Sequence, residues 1–148
     1  SALGLAALHA DGELAQAIAR IQNDLFDLGA DLATPDRGEA LEWEPLRMVQ
    51  AQVDRLEAEI DAMNARIPPL DSFVLPGGSP LAAHLHLART LARRAERQIA
   101  ELAGMPDETV SAEALAYANR LSDWLFVAAR AANANGAEDV KWVPGANR

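Results

Sequence analysis

The sequence predicts an all-α protein, an antiparallel bundle of five helices whose first helix is truncated at Ser1. Three observations point there. Four stretches of about twenty residues or more repeat apolar positions at helical spacing. The connections between them are short and carry proline and glycine. The packing faces are rich in alanine, which lets helices approach closely.

The elements follow in order. Ser1–Ala10 (SALGLAALHA) is small, apolar and helix-prone, and it starts without an N-cap or an initiator methionine. It is expected to be the end of a helix that begins upstream. Asp11 and Gly12 make a turn, with Asp11 an N-cap for a helix over 13–33. On that helix Leu14, Ala17, Ile18, Ile21, Leu25, Leu28 and Leu32 form one face. Asp24, Asp27 and Asp31 recur on the other, as solvated acids or a metal row, with solvation the expected state. Phe26 beside the apolar stripe is expected in the core.

Thr34–Pro45 reads as a loop, in which Trp43 covers either a bundle end or a subunit contact. A helix over 46–66 follows, with Val49, Val53, Leu56, Ile60 and Met63 inward and Asp54, Arg55, Glu57 and Asp61 outward. Ile67-Pro68-Pro69 stops it.

The stretch Leu70–Arg97 (LDSFVLPGGSPLAAHLHLARTLARRAER) organises the chain. Phe73-Val74-Leu75 is a short apolar segment before a Pro76-Gly77-Gly78 turn. Ser79 and Pro80 then start a helix, and Gly104-Met105-Pro106 ends it. Leu81, Leu85, Ala88, Ala92, Ala95, Ile99 and Leu102 form its core face. On the opposite side Arg89, Arg93 and Glu96 fall within about 60° of one another, with His86 and Arg97 at the edges. A charge run on a helix is usually a solvated face. The arginine content of this one, in a chain of net charge −9, also suits a polyphosphate, because guanidinium presents a rigid five-donor fork. The last helix is expected over 110–134. Leu115, Ala118, Leu121, Leu125 and Ala128 pack, while Asn119, Asp123, Phe126 and Arg130 share another stripe. Asp123 is expected to pair with Arg120 or a neighbouring arginine. The tail, 135–148, is polar apart from Val140-Lys141-Trp142-Val143.

Composition limits the function classes. With 13 basic against 22 acidic residues, nonspecific binding to nucleic acid or an anionic membrane is disfavoured. No cysteine is present, so disulfides and thiolate metal sites are excluded. No apolar run approaches the roughly 20 residues of a membrane span, and no signal peptide is visible. A cytoplasmic protein is the expectation. A ferritin-like di-metal bundle is disfavoured because no helix carries a Glu-x-x-His pair.

The string FVLPGGSPLAAHLHLARTLARRAER, followed by NRLSDWLFVAARAAN, resembles the PduO-type ATP:cob(I)alamin adenosyltransferases. The resemblance extends upstream through DLFDLGADLATP and VDRLEAEIDAMNARIPPL, nearly the whole chain. It implies one domain over 1–148 that transfers the 5′-deoxyadenosyl group of ATP to cob(I)alamin, with Mg²⁺ accompanying ATP. It implies Arg89 and Arg93 as catalytic residues, and Arg93, Arg94, Glu96, Arg97 and Asn119 as ATP contacts, with Mg²⁺ near Glu96 and no direct protein-held metal. It implies Phe73, Ser122, Phe126 and Trp142 as cobalamin contacts, Phe73 as the wedge that excludes cobalt's lower axial ligand. Homotrimers with interfacial ATP sites are implied too, as is transfer of product to an adenosylcobalamin-dependent mutase.

The family's N-terminal T-x-T-G-D-x-G segment, the lysine after it and the acidic V-D-E-L-N stretch do not occur in these 148 residues. Arg89 would pair with that acid across a subunit boundary, and the chain as it stands is expected to be incomplete for activity. The alternative is a carrier that binds adenosylcobalamin and delivers it to a mutase without making it. The tail either folds over the corrinoid site or is disordered.

Overall fold

The computed structural model describes residues 1–38 and 42–148. Five helices are present: α1 (Ala2–Ala7), α2 (Gly12–Ala33), α3 (Gln50–Asn64), α4 (Pro80–Ala103) and α5 (Ala112–Ala132). α5 is the central element. It packs against α4, α3 and α2, while α1 lies against α4 and α2. Tyr117, Leu121, Trp124, Leu125 and Ala128 of α5 are buried against Ile18 and Ile21 of α2, Val53 and Leu56 of α3, and Leu85 of α4. The expected faces of α2 and α3 largely supply this core.

Local signals set the ends of α4 and α5. Ser79 and Ser111 each accept a hydrogen bond from the amide three residues on, Ala82 and Ala114, at 3.1 Å. Pro80 occupies the first turn of α4, where its missing N–H costs nothing. α5 ends at Asn133, after which Ala134 and Asn135 take left-handed backbone angles.

Several expectations are corrected. α3 begins at Gln50, not at 46, and Val49 is its extended, exposed N-cap rather than a core residue. The cause lies upstream: Asp31 accepts from the Met48 amide at 2.8 Å and from Arg47 at 2.8 Å, which holds 46–49 extended. Asp24 and Asp31 are not solvated acids, being only 5% exposed. Asp24 accepts from Arg55, from Gln52 at 3.0 Å and from Tyr117 Oη at 2.9 Å; Asp31 also accepts from Ser111 Oγ at 3.2 Å. Arg55, expected on the outer face, therefore turns inward to Asp24. Buried carboxylates survive where charge and hydrogen bonds replace water. Burial, and then the Asp24 carboxylate, push the Tyr117 phenol far above its usual range.

Phe26 is the opposite case. Expected in the core, it is 84% exposed. With Leu25, Ala88, Leu91, Ala92 and Ala95 it borders an open apolar groove of about 740 Å³ between α2 and α4. Trp43 is exposed, and the middle of its loop, 39–41, lies outside the described residues.

The tail returns to the segment ahead of the Pro76-Gly77-Gly78 turn. Leu75 N–H donates to Val140 O at 2.7 Å and Trp142 N–H to Phe73 O at 2.9 Å, making an antiparallel bridge at Val74 and Lys141.

Candidate active site

The polar face of α4 meets α5 through one carboxylate. Glu96 accepts from Arg93 Nη1 at 2.5 Å on its own helix and from Asn119 Nδ2 at 2.8 Å across the interface. Asn119 Oδ1 then accepts from Arg120 Nη1 at 3.2 Å. Arg120 also donates to Glu57 on α3 at 2.7 Å and to Asp123 at 3.0 Å, as expected for Asp123. These two carboxylates hold the Arg120 guanidinium above its usual range, Glu57 being the larger influence. Arg93, Glu96, Asn119, Arg120 and Glu57 thus form one polar chain across three helices.

The other arginines are arranged differently. Arg97 donates back to the Arg93 backbone carbonyl one turn earlier, at 3.0 Å. Arg94 is exposed, and Arg89, Arg94 and Arg97 make no ion pair among the described residues. Free guanidinium groups in an acidic chain are open to an anionic ligand.

Arg89 lies 5.0 Å from the centroid of the Phe126 ring, a cation–π contact. His86, expected at the edge of the charged stripe, is buried and meets the same ring edge-on at 6.3 Å. Burial first, and then the neighbouring Arg89 charge, lower the His86 pKa, while Asp139 opposes them. The Nε2 atom of His86 is buried without a hydrogen-bond partner. Ser122 is buried too, its hydroxyl donating to Asn119 O at 2.9 Å, so it braces the turn that carries Asn119.

Phe126 also borders a groove of about 830 Å³ between the end of α3 and α5. Pro68, Pro69, Leu70 and Val127 give it apolar walls, and Glu57, Asp61, Arg120 and Asp123 a polar rim. Leu70 belongs equally to a neighbouring hollow lined by Phe73 and Trp142. Phe73 is 76% exposed and meets Trp142 edge-to-face, with ring centroids 5.8 Å apart. Lys141 pairs with Asp71 at 2.7 Å and lowers that carboxyl's pKa, chiefly by hydrogen bonding.

The structure therefore joins Arg93, Glu96 and Asn119 directly, joins Arg89 to Phe126, and puts Phe73 with Trp142 in a second cluster. Arg120 and Glu57 were not among the expected site residues, although the i, i+1 placement of Arg120 beside Asn119 was a signal. His86 was visible only as an edge residue.

The chain is similar to known proteins over nearly its whole length. Residues 1–132 match the family model described as cobalamin adenosyltransferase. The chain is 51% identical over 144 residues to a corrinoid adenosyltransferase of Mycobacterium tuberculosis, covering 97% of this chain and 73% of that protein. It is 41% identical over 148 residues to one from Bacillus subtilis, covering 96% and 73% respectively. Among solved structures, it is similar to a phenylalanine-to-alanine variant of a PduO-type ATP:corrinoid adenosyltransferase from Lactobacillus reuteri complexed with cobalamin and ATP. That match has a TM-score of 0.78 and 37% identity over 95% of this chain and 78% of the other. An arginine-to-lysine variant from the same organism, complexed with ATP, gives 0.80 and 36% over 96% and 79%. With fold and sequence both in agreement, this chain belongs to the cobalamin adenosyltransferase family.

Proposed function

We propose that the protein transfers the 5′-deoxyadenosyl group of ATP to cob(I)alamin, forming adenosylcobalamin and triphosphate. The observation that carries this reading is the Arg93–Glu96–Asn119 link, which joins the arginine-rich face of α4 to α5, the helix whose Phe126 and Arg120 border the apolar-walled groove. In the reaction, cobalt(I) attacks C5′ of ATP and the cobalt–carbon bond forms. The C5′–O bond breaks, and its electron pair leaves with the triphosphate oxygen. The nucleophile is strong, so the protein's work is to align the partners and neutralise the leaving group.

Each residue then has a role. Arg93 and Arg97, on successive turns, with Arg94 beside them, would bind the triphosphate through charge-assisted hydrogen bonds. Glu96 would hold Arg93 and Asn119 in register, with Asn119 toward the nucleotide. Both Glu96 oxygens are engaged by these partners. Mg²⁺ in this reading travels on the triphosphate and adds positive charge where the leaving group develops its negative charge. Phe126, Phe73 and Trp142 would form the apolar wall at the corrinoid, with Ser122 supporting the Asn119 turn. Phe73 would be the apolar group set against the corrinoid face.

Arg89, free of an ion pair, would meet an acid from a neighbouring subunit of a homotrimer. Exposed Phe26 and Leu91 along the α2–α4 groove support association, because lone soluble chains seldom expose contiguous apolar surface of this kind. Residues 1–148 would act as one adenosyltransferase domain in the cytoplasm, with the product passing to an adenosylcobalamin-dependent mutase.

The test is adenosylation of chemically reduced cobalamin with MgATP, by residues 1–148 and by a chain extended upstream of Ser1, followed by the visible spectrum, with light scattering for the oligomer. ATP-dependent formation of the cobalt–carbon bond by a trimer is the expected result. Adenosylcobalamin binding without turnover would instead indicate a carrier.

A further inference from the structure

Phe73 sits on an exposed segment with no helix of its own, yet its place relative to the groove matters for the function proposed above. Its backbone is tied to the tail, through the Trp142 N–H to Phe73 O and the Leu75 N–H to Val140 O bonds. Two side chains add to this: Ser72 Oγ donates to Trp142 O at 2.8 Å, and Lys141 pairs with Asp71. The tail strand is thus the scaffold on which Phe73 rests.

The tail strand in turn is held by a buried polar cluster at the end of α5. Arg130 pairs with Asp139 at 2.7 Å, with side chains only 7% and 0% exposed. Arg130 Nη2 also donates to Pro68 O at 2.9 Å, tying in the segment that leaves α3. Asn133, fully buried, accepts from Ser79 N–H at 2.9 Å and donates to Gly77 O at 3.1 Å and to Asp139 Oδ1 at 3.4 Å. Gly136 turns the chain back at φ +88, and its N–H donates to Arg130 O at 2.8 Å. One cluster therefore anchors three segments: the α3 exit, the turn before the arginine helix, and the tail.

We propose that Arg130, Asn133 and Asp139 are positioning residues for the adenosyl transfer, acting through the tail strand to hold Phe73 at the corrinoid side of the site. The proposal rests on the adenosyltransferase reading for its kinetic consequence, whereas the brace itself is a structural claim. A buried ion pair is costly to desolvate and a weak means of stabilisation, but it specifies geometry when every partner is satisfied. This cluster is satisfied on all three side chains. Asp139 is the cluster's member on the tail strand that carries Phe73, so its loss is expected to affect cobalamin more than ATP.

The chain's lack of cysteine provides a direct test. Val74 and Lys141 face each other between the two flanking backbone bonds, a non-hydrogen-bonded antiparallel pair. Such pairs have Cα atoms about 4.5 Å apart, within the range that a disulfide spans. D139N should raise the KM for cobalamin about tenfold while the KM for ATP stays within about twofold. Amide hydrogen exchange at Leu75 and Trp142 should quicken in parallel. Adding V74C and K141C under oxidising conditions should restore both readouts, and reduction should abolish the rescue. If D139N loses its helical circular dichroism, S72A combined with K141A removes two exposed ties instead, and the same kinetic and exchange changes are expected. Wild-type exchange at Leu75 and Trp142, equal rises in both KM values, or a staple without effect would overturn the proposal. A wild-type protein inactive towards cob(I)alamin would overturn the adenosyltransferase reading instead, and amide exchange would then decide the brace alone.

Discussion

Replacing Arg93 with alanine separates chemistry from folding more cleanly than any other change on the arginine helix. Its guanidinium is about half exposed and has one ion-pair partner, Glu96, three residues along the same helix. Such a pair contributes about 0.5 kcal/mol or less, so the melting temperature should move by less than about 2 °C. Glu96 keeps its bond from Asn119, so the α4–α5 contact survives. Catalysis should respond far more. A fixed cationic donor aimed at a developing negative charge is worth about 10²–10³ in kcat, equivalent to ~3–4 kcal/mol. Lysine at this position keeps the charge but loses the fork and the bond to Glu96 in its present geometry, and should fall between. The assay is single-turnover adenosylation of reduced cobalamin at saturating MgATP, alongside thermal melts monitored by circular dichroism. Activity within about threefold of wild type would refute the leaving-group role. A loss that merely follows the fraction unfolded would refute it equally.

Three further outcomes test the scaffold. D24N removes the charge that Arg55, Gln52 and Tyr117 share; because the Arg55 side chain is about a third exposed, the expected cost is ~2 kcal/mol, or about 4–8 °C in the melt. G78A puts a Cβ 2.2 Å from Asn133 Oδ1 at a backbone φ of +98, and should cost about 2–3 kcal/mol through strain and displaced Asn133 hydrogen bonds, read as a lowered melting temperature. His86 is held neutral in the folded state to lower pH than in the unfolded chain, where its ordinary pKa is 6.5. The unfolded state therefore binds more protons below that value, and stability should decline as the pH falls through 6.5 and level off below the folded-state pKa. H86Q should flatten this part of the stability profile measured by denaturant titration.

Local sequence is enough to place the helices and most of the faces they bury. Helical periodicity is local, so the spacing of Ile18, Ile21 and Leu28, or of Leu121, Leu125 and Ala128, reports a core face without knowledge of the partner. The stops at Pro68-Pro69 and Gly104, the cap at Ser79 and the arginine stripe are legible for the same reason, whereas the last helix, expected from 110, begins at Ala112 behind Ser111 as its cap. The family motifs were readable as well, and the match over residues 1–132 agrees with them.

Which polar groups meet depends on contacts between segments far apart in the chain. Asp24 and Tyr117 are 93 residues apart in sequence, and nothing in the spacing of the α2 aspartates tells a buried acceptor from a solvated acid. The same holds for Glu96, whose role depends on Asn119 arriving from α5 at 2.8 Å, and for Arg130, whose partner Asp139 lies past a left-handed turn. Phe26 shows the converse: one residue beside the apolar stripe is enough, about 100° around the helix, to move a large aromatic from core to surface. Burial of an individual side chain depends on what the rest of the fold brings to it. Periodicity fixes the face, and packing between distant segments fixes the chemistry.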